Sequence, residues 1–148
     1  MLLTKAKAKL GPHDHGRKMS LKAFEFAETE EGYTYELQRG YVVVSEVANY
    51  LHAMQIVALM EPLWLYRAAN PGIIHAILGN MDCNLLIPEM DSERHPDIAV
   101  YLTQPKGKKD RTLWRKWFPE LAIEVVSESS RDRDYIDKRE EYGTLGIK

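Results

Sequence analysis

Cysteine is almost missing from this chain: Cys83 is the only one in 148 residues. A single thiol excludes an internal disulfide framework and suits a reducing cytoplasm. No apolar run reaches the roughly 20 residues needed to span a bilayer, so no membrane partner is expected. Neither sign of charge dominates. The formal net charge is −2, which excludes a polycation that binds nucleic acid indiscriminately but leaves room for a local basic patch. There is no internal repeat and no low-complexity tract. A glycine-rich phosphate loop and a serine-nucleophile elbow are both absent, which removes the functions built on them. The first residues, MLLTKAKAKLGPHDHGRK, lack the apolar core of about 7–15 residues that a signal peptide carries. They read as a flexible tail over 1–19.

What is present is globular: 45% of residues are hydrophobic and 28% charged, enough to build one core of ordinary size. Residues 33–46, YTYELQRGYVVVSE, predict two strands turning near Arg39-Gly40. Residues 47–69 place Val47, Leu51, Met54, Val57 and Ala58 at helical spacing, with Pro62 ending or kinking the helix. Asn70-Pro71-Gly72 is a turn, and IIHAILG is a strand. MDCNLLIPEMDSERH is ambiguous. PDIAVYL (96–102) and PELAIEVVS (119–127) are strand patterns separated by the polar, basic loop TQPKGKKDRTLWRKW. Ser129 or Ser130 can cap a helix from about Arg131 to Tyr142. This order predicts an α/β or α+β domain with a mixed central sheet flanked by helices.

One residue breaks the pattern. Glu124 sits between Ile123 and Val125 in an apolar run. An ionised carboxylate buried without a partner costs several kcal/mol or more, so it must face water, face a cation or carry a proton. Side chains alternate along a strand. Ala122, Glu124 and Val126 share one face of the later strand; Asp97, Ala99 and Tyr101 share one face of the earlier strand. If the two strands pair, Asp97 and Glu124 lie side by side, about 4–5 Å apart, with a proton or a hard cation between them. Mg²⁺ is the natural occupant, because it takes one or two carboxylates and keeps waters for a phosphate. Asp134, Lys138 and Tyr142 follow i, i+4, i+8 spacing and form one stripe on the next helix. That stripe can bring Lys138 back to the carboxylates.

PDIAVYL followed by LAIEVVSESSRDRDYIDKREEYGTLGI resembles the Uma-two family of restriction endonucleases, in the PD-(D/E)XK nuclease superfamily. YELQRGYVVVSEVANYLHAMQI resembles that family's hairpin with a glutamate, followed by a helix with a histidine. The resemblance covers roughly residues 20–148 as a single nuclease-like domain with a restriction-endonuclease-like core. It implies a Mg²⁺-dependent endonuclease, with Mn²⁺ able to substitute, that hydrolyses DNA phosphodiester bonds. By that resemblance Asp97 and Glu124 are the metal ligands, Lys138 the basic member and Glu36 an additional acidic one. His52, Asp134 and Tyr142 are accessory. A homodimer is an expectation from the superfamily. Three departures stand out. Val126 occupies the position of the usual motif lysine, which the family supplies from the following helix. Glu128 replaces a usual proline. The chain also stops at TLGIK, where the family continues into another strand, so the domain is expected to be truncated at its C-terminus.

Plainer readings compete at each position. Glu124 could be a solvated strand residue, Asp97 a turn residue, and Asp134–Lys138 a surface ion pair. Lys108, Lys109, Arg111, Arg115 and Lys116 suit a DNA backbone, and Trp114 and Trp117 among them would either stack on bases or cover the edge of the core. His13 to His15 offer three possible metal ligands but sit in a Gly/Pro-bounded tail, while His75 and Cys83 read as structural. The rival function from another class is a catalytically inactive nucleic-acid-binding module on the same fold. A hydrolase acting on a small substrate is less compatible with the basic loop.

Overall fold

The computed structural model describes residues 7–47, 49–127 and 130–148, without the side chain of Arg111. In chain order the strands are β1 (Lys9–Leu10), β2 (Glu28–Thr29), β3 (Tyr33–Gln38), β4 (Tyr41–Glu46), β5 (Ala76–Gly79), β6 (Leu85–Ile87), β7 (Ser92–Arg94), β8 (Ile98–Tyr101) and β9 (Leu121–Ile123). The α-helices are α1 (Leu21–Glu25), α2 (Tyr50–Ala69) and α3 (Arg139–Thr144), the last continuing a π-helical segment, Arg133–Lys138. The class is α+β. Among the described residues no helix is long and apolar enough to cross a membrane. The chain divides into two compact units: Met1–Val47 with Pro88–Glu93, and Ala48–Ile87 with Arg94–Lys148.

The first unit is built on the expected hairpin. β3 and β4 pair antiparallel with Gln38 opposite Tyr41, leaving Arg39 and Gly40 as the two loop residues. Both have positive φ, 49° and 81°, the backbone that lets a two-residue turn match the twist of its strands. Gly40 is also needed for space, since a Cβ there would stand 3.1 Å from Asp91 Oδ2. β7 joins the other side of β3 through Leu37 and Glu93.

The described part of the presumed tail is packed, not loose. β1 pairs in parallel with β2, and Leu10 is fully buried. The amide of Gly16 donates to the Val42 carbonyl and that of Val42 to the Arg17 carbonyl. The polar composition of this stretch hid a few anchoring apolar side chains and a set of main-chain bonds, which composition does not register.

The second unit centres on a three-stranded antiparallel sheet, order β5-β8-β9. β8 is buried on both faces, and its alternation sorts two clusters. Ile98 and Val100 join Ile74 and Ile77 against Ile56, Met60 and Leu63 of α2. Ala99 and Tyr101 join Cys83, Leu85, Tyr142 and Ile147. Asn49 caps α2 by accepting from the His52 amide at 3.0 Å. α2 runs through Pro62 to Ala69 and is not ended there. Proline costs a helix one hydrogen bond, and packing of Met60 and Leu63 on the sheet offsets that loss.

The last helix is not a plain α-helix. Arg133–Lys138 is π-helical, an arrangement that is rare and often found at functional sites. Ser129 lies outside the described residues. Ser130 turns its hydroxyl to the Ser127 amide and hydroxyl, at 3.0 and 2.9 Å.

Candidate active site around Asp97 and Glu124

The β8–β9 ladder fixes the site. Ile98 faces Ile123, Ala99 faces Ala122, and Val100 faces Leu121. Continued by one step, the same register would set Asp97 opposite Glu124. The ladder itself stops at Ile123, so Glu124 lies just past the strand and not inside it. The chain stays attached there through a side chain, because the Val125 amide donates to Asp97 Oδ2 at 2.7 Å. Asp97 thus takes up a main-chain donor that the missing ladder bond would have left open. Its other oxygen, Oδ1, lies 3.4 Å from His52 Nε2 in the first turn of α2. The expected accessory histidine therefore meets the aspartate directly.

Glu124 meets two side chains of the last helix. Lys138 Nζ stands 3.0 Å from Oε2, and the Tyr142 hydroxyl donates to Oε1 at 2.5 Å. Lys138 also lies 3.6 Å from Asp134 Oδ1. Only 6% of the Lys138 side chain and 12% of that of Glu124 reach solvent. An ammonium shared by two carboxylates in so shielded a place is held far more firmly than a surface pair. The stripe Asp134, Lys138, Tyr142 therefore meets the strand end as its spacing requires. A pocket of about 250 Å³ opens beside it, bordered by Glu124, Val126, Asp134, Tyr135 and Arg139. Val126, where a lysine is usual, is partly exposed on this border, and the ammonium that meets Glu124 belongs to Lys138.

Among the described residues no group of three or more His, Cys, Asp or Glu side chains is placed to hold a metal ion. The donor set at Asp97 and Glu124 still fits Mg²⁺ in kind. Both ligands are hard carboxylates, each oxygen keeps a second lone pair, and Mg²⁺ asks proteins for only one or two of them. Glu36 belongs to the first unit, where it is buried on β3 opposite Val43.

The basic loop divides in two. Lys108, Lys109, Arg115 and Lys116 are exposed, and the Arg111 side chain lies outside the described residues. The tryptophans belong to the core. Trp117 stacks on Tyr101 with centroids 3.8 Å apart and donates its indole N–H to the Thr103 carbonyl at 2.9 Å. Trp114 packs on the same cluster. Tyr101 in turn meets Cys83 Sγ at 3.1 Å, and burial pushes the Cys83 thiol up to about 11. His95 Nδ1 lies 3.0 Å from the Cys83 carbonyl, and His75 sits edge-on to Trp117, so both histidines are structural.

The sequence reading missed one pair behind the site. Arg94 Nε and Glu141 Oε2 are 2.5 Å apart, with no exposed surface on either side chain. This pair joins the end of β7 to α3, the helix that carries Tyr142. Arg94 lies in a polar run, DSERHP, and Glu141 in a charged one, KREEY. Both look solvated by composition, and no local signal separates them from their neighbours.

A comparison with protein families matches residues 21–148 to the Uma2 family, described as "Putative restriction endonuclease". No curated protein matches the chain. The match spans most of the sequence, and the chain belongs to the Uma2 family. Its α+β arrangement is that of the restriction-endonuclease-like fold.

Proposed function

We propose that this Uma2-family nuclease is a metal-dependent endonuclease that hydrolyses DNA phosphodiester bonds. The observation that carries the reading is that the chain at Glu124–Val125 is tied to Asp97 by the Val125 amide at 2.7 Å, with the Lys138 ammonium 3.0 Å from the glutamate. Asp97 and Glu124 would hold Mg²⁺ or Mn²⁺, which supplies Lewis-acid charge at the scissile phosphate and lowers the pKa of a bound water. His52 and the Val125 amide fix Asp97. Tyr142 orients Glu124. Lys138 positions the attacking water or offsets charge developing on the phosphate, and Asp134 keeps its ammonium in place. Lys108, Lys109, Arg115 and Lys116 are proposed to contact the DNA backbone, and Arg111 joins them on sequence alone. Glu36 enters as an additional acidic residue through the family resemblance. The family match runs across both compact units, which supports one nuclease domain over 20–148. A cytoplasmic location is the reading that the lone thiol favours.

Plasmid cleavage with Mg²⁺, Mn²⁺ or EDTA, beside Glu124→Ala, tests this. Nicking or linearisation that needs metal and is lost in the variant supports the nuclease. The competing reading, a binding module without catalysis, draws on one observation: every oxygen of Asp97 and Glu124 already meets a protein group. DNA binding without cleavage under any metal would select it.

A further inference from the structure

α2 is apolar on two opposite faces, and the sheet covers only one. None of its 20 residues is fully buried. Ile56, Met60 and Leu63 pack on the sheet, and Arg67 on the same side donates to the Ile74 and His75 carbonyls. At about 100° per residue, Leu51, Ala58 and Leu65 fall within about 40° of one another on the far side, with Met54 beside them. Leu51 is 68% exposed, Leu65 71% and Met54 39%. A helix apolar all round belongs inside something.

We propose that this face is the contact between two copies of the chain, packed as antiparallel α2 helices about a two-fold axis near Ala58. Three observations favour a second copy. The first is self-complementarity, which a two-fold contact requires. Leu51 and Leu65 lie about two turns before and after Ala58, so the axis sets Leu51 against the partner's Leu65 and closes the helices over the small alanine. Tyr50 and Tyr66 are likewise equidistant from Ala58, and both are exposed. The second is charge. Glu61 is the only formally charged residue between Tyr50 and Tyr66, and its distance from Ala58 matches that of Gln55 on the other side. The two glutamates are therefore not opposed. The third is area. Tyr50, Leu51, Met54, Leu65 and Tyr66 together leave roughly 600 Å² bare on each copy, so a pair that covered all five would bury at most roughly 1,200 Å², which reaches the lower bound for a specific stable interface. A membrane surface suits the face poorly, because interfacial helices carry rows of Lys and Arg and α2 has only Arg67, on its sheet side.

The proposal does not depend on the nuclease reading. Light scattering on the eluted full chain should give twice 17.1 kDa for the natural sequence and 17.1 kDa for the Leu51→Arg, Leu65→Arg double variant, with an unchanged circular dichroism spectrum. In a second measurement Ala58→Cys should form an interchain disulfide under mild oxidation, while buried Cys83 stays reduced. A monomer at about 100 µM, a hundredfold above a micromolar Kd, would overturn the proposal. So would a dimer indifferent to both arginines, which would place the contact elsewhere. Failure of the Ala58→Cys crosslink in a confirmed dimer would overturn the antiparallel register.

Discussion

The Lys138 ammonium lies 3.0 Å from Glu124 Oε2, with both side chains largely shielded from solvent. A lysine from a helix thus meets a glutamate from a strand end, and Asp134 one turn earlier meets the same nitrogen. Lys138→Met keeps the length and removes the charge. Cleavage is expected to fall about 10²–10³-fold, the scale seen when one charge-stabilising group leaves an active site. Unchanged turnover in a folded Lys138→Met protein would remove the lysine from the mechanism.

Metal binding has a readout independent of turnover. If Asp97 and Glu124 hold a divalent ion, saturating Mn²⁺ stabilises the folded state by about 2.7 kcal/mol at a hundredfold excess over Kd. A thermal-melting shift is expected for the natural sequence and none for Glu124→Gln. Equal shifts in both proteins would put the ion elsewhere.

Tyr142 acts on Glu124 through a single hydroxyl. Tyr142→Phe keeps the ring in its cluster with Cys83 and Tyr101 and leaves one acceptor with a partner fewer. The expected cost is about 1 kcal/mol of stability, the ordinary net worth of one such bond. Activity should drop while the metal-induced melting shift persists. Loss of the melting shift as well would make Tyr142 part of the metal site itself.

Arg94 and Glu141 form a fully buried ion pair. Removing one partner takes the opposite charge away from a side chain that water does not reach. Glu141→Ala is expected to cost about 3–5 kcal/mol in urea unfolding. Replacing both by apolar residues of similar volume should cost much less. A double variant as unstable as the single one would mean that the pair is held for more than its charge balance.

Alkaline pH tests the Cys83–Tyr101 contact. Burial raises the Cys83 thiol from 9.0 to about 11, and it raises the Tyr101 phenol as well. Between pH 9 and 11 the unfolded chain has released the Cys83 proton and the folded chain still holds it. The unfolded state then binds fewer protons, so stability falls as pH rises through that window, by up to about 1.4 kcal/mol per pH unit for one proton. Cys83→Ser should flatten the fall. An equally steep loss in that variant would trace it to other groups.

The sequence determined whatever rests on local chemistry. Arg39-Gly40 marks a turn because glycine adopts positive φ freely, and the hairpin follows. Alternation in PDIAVYL and LAIEVVS decided which side chains share a face, so Asp97 and Glu124 could be paired on paper before β8 met β9. Helical spacing did the same for Asp134, Lys138 and Tyr142. Tertiary structure decided the partners that lie far apart in the chain. Arg94 and Glu141 are 47 residues apart and look like surface charges until folding removes water from both. Trp117 left the basic loop for the Tyr101 ring because burying an indole is worth more than holding it in solvent. The presumed tail became a strand because β2 offered main-chain partners. α2 shows the division within one element. Its apolar content was legible from composition and its helix from periodicity, but only the packed sheet revealed which face stays bare. Local pattern fixes where a side chain points; only the assembled chain fixes what it meets.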